Sequence, residues 1–405
     1  MNKAYFKSVV LAVSAIIIAL SIIIYPKDTY LASVNGLKMW WDVVFPSLMP
    51  FFILSEVLMG FGVVHLIGVI FEPLMRPLFR VPGSGGFVWA MGISSGFPAG
   101  AKLTARLWHQ KQISTIEAER LVSFTNCSNP LFMFSAISVG FFHNPALGIV
   151  LAVSHYAGNF IVGLIMRFHG SKKDSPLSKD FVRGGGIKNA LTQMHNARLA
   201  DNRPIGQLLG DAVQQSTRTL LMIGGFIILF SVLSRMMDLL QITELLSKLI
   251  SPVFLLFSFS ETLSLPLMKG IFEITLGSNL TSIAQSSVVQ QAAITSFILA
   301  FSGLSVQAQV ASILAETDIK FSPFFFARII HGFLSAAICM LVFPYLYNVK
   351  SNAAPAFNFI KEKSENLGEW GMIALTNSHY VTLVFLLISI GIWSRNMMKK
   401  NSLRY

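Results

Sequence analysis

The residues able to do chemistry in this chain sit at polar, glycine-bearing breaks inside apolar runs. Gly92-Ile93-Ser94-Ser95-Gly96-Phe97-Pro98-Ala99-Gly100 is one such break, followed by Lys102 and Arg106. Phe124-Thr125-Asn126-Cys127-Ser128-Asn129-Pro130 is a second, roughly 30 residues beyond the start of the first. A weaker copy of the pair comes later, as Gly270-Ile271-Phe272-Glu273-Ile274-Thr275-Leu276-Gly277 and then Phe301-Ser302-Gly303-Leu304-Ser305. Paired breaks at matching places in two halves are the sequence mark of a transporter site.

In hydrocarbon an unpaired backbone amide or carbonyl is costly, so unwound chain is tolerated only where it is buried in protein or lines a wet cavity. A half-helix beginning near Gly100 would offer free amides and the positive end of its dipole to an anion, with Lys102 and Arg106 one and two turns further on. Ser94, Ser95, Thr125, Asn126, Ser128 and Asn129 add neutral donors, with Gly96 and Phe97 at the turn and Thr275 and Ser302 in the later pair. The competing reading makes Gly92, Gly96 and Gly100 a small-residue face for close helix packing; Pro98 within it favours a break. Glu273 lies in an apolar run, where an ionisable group is a functional candidate by default. It would carry a proton, bind a cation or hydrogen-bond the substrate, unless it is simply paired with Lys269 one turn earlier. Glu56, Arg235, Arg328 and His331 lie nearer to segment ends, where they can snorkel.

Gly92-Ile93-Ser94-Ser95-Gly96 also matches a hydrolase nucleophile elbow, but that motif has meaning only on a strand-to-helix turn with an acid and a histidine to complete a triad. The zincin, P-loop and EF-hand patterns do not occur, so the expectation is no enzyme, no cofactor and no metal site, and an ATP-driven transporter would need a separate motor subunit. Cys127 and Cys339 are the only cysteines and give neither a disulfide framework nor a zinc pattern.

These positions must be held by membrane helices. The chain has 405 residues, 53% hydrophobic and 12% charged, with mean hydropathy +0.63, against about 25% charged in a soluble domain. Apolar runs near the ~20 residues of one crossing recur from Phe6 to Trp393. The formal charge of +12 reads as basic cytosolic loops, with no nucleic-acid partner. The expected organisation is a retained transmembrane helix in 1–26, a first membrane half in 27–168, and a basic cytosolic linker in 169–218. A second half in 219–348 follows, then an extracytosolic loop, last helix and tail in 349–405. The linker contains Gly184-Gly185-Gly186 and ends in an apolar stripe, Ile205, Leu208, Leu209, Ala212 and Val213, that suits an interfacial helix.

A basic N-terminus, linker and C-terminus all favour the cytosol, so each half crosses an even number of times. That arithmetic closes if Phe87 to Leu107 dips in from the cytosol and Leu245 to Leu280, broken by Pro252, Pro266 and Gly277, dips in from the other face. Asn348 to Ser378, which has no basic excess, then lies opposite the linker. The expected fold class is an all-α polytopic membrane protein with two inverted-topology halves, each with a re-entrant helical hairpin and a broken transmembrane helix.

At Trp40-Trp41-x-Val-Val-Phe45-Pro46-Ser47-Leu48-x-Pro50-Phe51-Phe52, Glu72-Pro73-Leu74-Met75-Arg76-Pro77-Leu78-Phe79-Arg80-Val81-Pro82-Gly83, Ser95-Gly96-Phe97-Pro98-Ala99-Gly100-Ala101-Lys102 and Phe124-Thr125-Asn126-x-Ser128-Asn129-Pro130, the chain resembles a family of sporulation integral membrane proteins. That family belongs to the nucleoside-recognition, or Gate, domain group. The resemblance implies a role in endospore formation, moving dipicolinic acid from the mother cell toward the forespore across the outer forespore membrane. Gate domains are similar to those of concentrative nucleoside carriers and iron-transport permeases. The expected function is transport of dipicolinate or a similar small anion, with Phe97 or Phe124 against its ring. The alternatives are a nucleoside or metal-ion permease and a non-transporting scaffold of the developing spore. A homo-oligomer or a sporulation protein partner stays open.

Overall fold

The computed structural model describes residues 3–170 and 187–347, and every regular element among them is helical. Four helices among these are long and apolar enough to cross a membrane, and two bent pairs pass the same test together. The first bent pair joins α1 (Lys3–Ile24) to α2 (Pro26–Met39). Pro26 cannot extend the preceding helix but suits the first turn of the next, and the chain turns by 101° there. The second joins α3 (Phe45–Gly60) to α4 (Val63–Phe79) at 85°, with Gly62 at φ 76 supplying the left-handed turn.

Helix α4 braces both ends of the first hairpin region. Glu72 accepts hydrogen bonds from Arg76 Nε at 2.8 Å and from the Gly83 amide at 2.5 Å. Arg76 also reaches Glu117 at 2.9 Å. Glu117 closes a capping box with Ser114 at the start of α7 (Thr115–Thr125), satisfying two amides of that helix end. Between them runs the first hairpin, α5 (Ser84–Ser95) and α6 (Ala99–His109). After α7 the chain is unwound through 126–129 and then resumes as a π-helical segment, Phe132–Phe141, before α8 (Leu147–Met166).

The same sequence of parts recurs beyond α9 (Ile187–Asp201), α10 (Ile205–Leu239) and α11 (Ile242–Leu256). Helices α12 (Ser264–Phe272) and α13 (Ile274–Ile283) form a second hairpin, α14 (Val288–Phe301) and α15 (Gly303–Leu314) a second broken helix, and α16 (Phe321–Leu346) comes last.

Helix α10 measures the arrangement. From Arg218 to Asp238 it rises about 30 Å, close to the thickness of bilayer hydrocarbon. The body of the first hairpin stands beside its early part, where Lys102 and Arg106 share a cavity wall with Asp211, Gln214 and Arg218. The second stands beside its late part, where Lys269 pairs with Asp238 and lies 3.5 Å from Ser234. Both tips meet its middle, near Ile223 and Ile227. The hairpins therefore enter from opposite ends, which is the inverted arrangement of the two halves.

Several boundaries differ from the sequence expectation. The second hairpin begins at Ser264 rather than Leu245, and its break is Glu273. Pro252 lies inside α11, and Pro266 is a first-turn proline of α12, where a missing amide costs nothing. Gly277 is not a break: it lies against Gly270 where α12 and α13 cross, and a Cβ there would meet the Gly270 Cα. The stripe from Ile205 to Val213 is the first part of the continuous α10. Helices α2 and α4 add to the expected set of elements. Gly184-Gly185-Gly186, Asn348 to Ser378, the apolar run Tyr380 to Trp393 and the C-terminal tail lie outside the described residues.

Candidate functional site

Gly96, at φ 81, ends α5 and turns the chain into α6. A Cβ on Gly92 or Gly100 would meet the carbonyl of Thr125, so the hairpin tip sits directly on the break after α7. The glycine stripe is therefore broken at Gly96 to Pro98 and closely packed at Gly92 and Gly100. Asn129 ties the parts together. Its Nδ2 donates to the Ser95 carbonyl at 3.0 Å and its Oδ1 accepts from the Phe132 amide at 2.7 Å.

The carbonyls freed where α7 ends are met by buried donors. Arg328 donates to the Asn126 carbonyl at 3.0 Å, to the Ser123 carbonyl and to Asn159 Oδ1 at 3.3 Å. Asn159 Nδ2 donates to the Phe124 carbonyl, and Tyr156 Oη to the Ser128 carbonyl at 3.0 Å. The Ser128 amide donates to His155 Nε2 at 3.0 Å. Arg328 is wholly buried, its guanidinium 5.4 Å from the Phe324 ring, and no carboxylate pairs with it among the described residues.

In the second hairpin Glu273 is the N-cap of α13. Its carboxylate accepts from the Leu276 amide at 2.8 Å and from Thr275 Oγ1 at 2.9 Å. Lys269 is taken by Asp238, so the Lys269–Glu273 pair does not form. Ser302 and Gly303, at φ 71 and 61, separate α14 from α15, and Gln307 Nε2 donates to the Phe301 carbonyl at 3.0 Å.

The two tips and two breaks enclose one central cavity of about 460 Å3. Ser95, Gly96 and Phe97 line it from the first hairpin, Ser128, Asn129 and Phe132 from the first broken helix, Glu273 and Thr275 from the second hairpin, and Ser305 and Gln309 from α15. Ile223 and Ile227 of α10 and Asp42 complete the wall. Among the described residues the lining therefore combines apolar and aromatic surface with hydroxyls, amides and two carboxylates, with no lysine or arginine. Ser95 Oγ, Ser128 Oγ, Ser302 Oγ and the Asn126 amide are buried without a hydrogen-bond partner among the described residues. Native proteins leave few such atoms, and these four residues lie at the tips and breaks.

Not every sequence candidate reaches this cavity. Ser94 is exposed and donates to the Ala90 carbonyl. Gly100, Thr125 and Asn126 form the packed seat beneath the tip, and Ser302 is buried in the second break. A Cβ on Gly100 would meet the Thr125 carbonyl and the Asn126 nitrogen, so the side-chain face of the α6 start is packed against the break. Lys102 stands outside the central cavity in an ion pair with Glu56 at 3.2 Å, and Arg106 binds the same carboxylate. Phe124 stacks on Phe79 at 4.6 Å in the core, so of the two expected rings Phe97 lines the cavity, and Phe132 joins it there. Asp42 and Gln309 are additions that sequence reasoning missed, and Arg328 and His331, expected to snorkel, are instead wholly buried, with Arg328 on the carbonyls of the break.

The linker side carries its own charges. Arg203 binds Asp201 at 2.6 and 2.8 Å and Asp211 at 2.8 Å. Hydrogen bonding to Arg203 holds the Asp201 carboxyl below its ordinary range.

Comparison with known proteins places this geometry in a family. A family profile described as Gate, nucleoside recognition, matches residues 41–160, a stretch holding the first hairpin and first broken helix. Among solved structures, CNTnw in an inward-facing substrate-bound state is 12% identical with a TM-score of 0.42, covering 84% of this chain and 87% of that one. A doubly substituted CNTnw in an outward-facing state also has 12% identity and a TM-score of 0.42, covering 83% and 87%. The sporulation integral membrane protein YlbJ of Bacillus subtilis (strain 168) is 54% identical over 348 residues, which is 86% of this chain and 85% of that protein. With identity of that order over most of both chains, this integral membrane protein belongs to the YlbJ family of sporulation membrane proteins.

Proposed function

We propose that the protein is a carrier that moves dipicolinate, or a closely similar small aromatic dicarboxylate, from the mother cell toward the forespore across the outer forespore membrane. The observation that carries the transport reading is the central cavity, midway along α10, at which two oppositely inserted hairpins and two broken helices converge. Phe97 and Phe132 offer surface for a flat ring, and Ser95, Ser128, Asn129 and Thr275 offer polar contacts around it. The substrate itself rests on the family relationship. Asp42 and Glu273 would repel a bare dianion, so the cargo enters protonated or with a compensating cation, and Glu273 at the hairpin tip is the coupling group. The basic linker, on the positive-inside argument, puts the Arg203 end of α10 in the cytosol.

A wall without lysine or arginine also suits a neutral solute, which favours a nucleoside as the second reading. Labelled dipicolinate and labelled nucleoside, offered to vesicles holding correctly oriented protein, separate the two. Uptake of dipicolinate above empty vesicles, with an imposed proton or cation gradient altering the rate and Glu273→Gln abolishing that response, is the expected result. No uptake of either solute would instead favour a scaffold.

A further inference from the structure

A second cavity of about 640 Å3 lies on the linker side of the central one. The two are walled by the same elements at different heights. Helix α3 contributes Leu48 to the first and Glu56 to the second, the first hairpin Phe97 and then Lys102, α10 Ile223 and then Arg218, and α15 Gln309 and then Ser312. Between these heights Leu48, Phe52, Ala99, Leu220 and Ile223 pack as one apolar cluster. The cavities are therefore successive compartments on one line, closed from each other by an apolar barrier.

Their charges differ. Among the described residues the charged groups lining the central cavity are carboxylates, Asp42 and Glu273, whereas the linker-side cavity mixes both signs. In the linker-side cavity Lys102 and Arg106 share the single carboxylate of Glu56, and Arg218 stands on the same wall. Lys102 Nζ is buried and, beyond its 3.2 Å ion pair with Glu56, makes no hydrogen bond among the described residues, although an ammonium carries three donors. It sits 5.2 Å from the centre of the Phe52 ring, the largest group of the barrier. Two cations on one acid, one of them with unused donors, can accept a further carboxylate or exchange the one they hold.

We propose that this cavity is a second binding site, for a small dicarboxylate, in which Lys102 and Arg106 trade Glu56 for an incoming carboxylate just ahead of the Phe52 barrier. The inference takes its meaning from the transport reading, and its test is independent of uptake. Lys102 is then a binding residue, but for the entry compartment rather than the central cavity. Asp211, which is held by Arg203, and Glu316 also line the cavity.

The test uses the full chain in lipid nanodiscs with Gln215→Cys, a position on the cavity wall; the native cysteines, Cys127 and Cys339, are buried. The rate of labelling by an anionic methanethiosulfonate is followed as dipicolinate is added. Dipicolinate should slow labelling in a saturable way, and pyridine should not. Lys102→Gln should raise the half-protecting concentration about tenfold or more, as expected for losing one partner of a desolvated charge pair, while Lys102→Arg should retain part of the protection. Arg106→Gln repeats the test if Lys102→Gln fails to fold. No protection in the parent protein, or protection by inorganic phosphate in place of dipicolinate, would overturn the proposal. So would protection unaltered in both glutamine variants. Protection without vesicle uptake would leave this site standing and remove the transport reading.

Discussion

Replacing Gly100 with alanine tests whether the first hairpin is seated on the break after α7. An added Cβ would lie 2.5 Å from the Thr125 carbonyl carbon and 2.7 Å from the Asn126 nitrogen, and closer still to the Thr125 oxygen. All three are backbone atoms, so no side chain can rotate away and the tip must shift. Overpacking of this kind costs typically about 1 to 3 kcal/mol, and backbone neighbours place it toward the upper end. Gly225→Ala, in α10, is the matched control because nothing lies within 4 Å of its Cβ. There a helix-interior alanine gains about 0.5 to 1 kcal/mol. The two variants should therefore separate by roughly 2 to 4 kcal/mol, or several degrees in Tm measured in one detergent. Near-equal melting of Gly100→Ala and Gly225→Ala would refute the seating of the hairpin.

Arg328→Gln should destabilise the protein by about 3 kcal/mol or more, because charged hydrogen bonds of about 1.5 to 3 kcal/mol each are lost to the α7 carbonyls. Arg328→Lys should fall between it and the parent in thermal unfolding, and a wild-type melt for the glutamine variant would move the support of the break elsewhere. At the α9 to α10 corner the sign is set by Asp201, whose folded carboxyl is held low by Arg203. Its stabilisation is present above the unfolded aspartate value of about 3.9 and is lost as pH falls through the lower folded value. Hydrogen exchange at 198–206 should accordingly rise only in acid for the parent but already at neutral pH for Arg203→Gln, and identical profiles would show that the clamp contributes nothing.

The breaks were legible in the sequence because glycine, proline, serine and asparagine inside apolar runs need a reason in hydrocarbon, and Ser95 to Phe97 with Ser128 and Asn129 do meet at one cavity. What spacing cannot give is the partner of a charged side chain. Lys102 comes soon after the first break, yet its direction is set by Glu56, which α3 brings in from 46 positions earlier. Lys269 stands one turn from Glu273 and bonds instead to Asp238 on α10, because Glu273 turns forward to cap α13. Arg328 is visible as an ionisable group in an apolar run, but its partners are mainly backbone carbonyls, which no residue pattern encodes. Helix α4 is hard to see in the sequence because Glu72, Pro73, Arg76 and Pro77 dilute its hydropathy, and those same charges are what fasten it to Gly83 and Glu117.

The most direct measurement fills the central cavity and tracks transport. Ile227 lines it from α10, whereas Leu229, two positions on, is 48% exposed on the outer face. With inserted protein quantified, Ile227→Trp should take up labelled dipicolinate no faster than empty vesicles, while Leu229→Trp should match the parent. Parental uptake by Ile227→Trp would contradict the claim that the cargo passes between the paired hairpin tips.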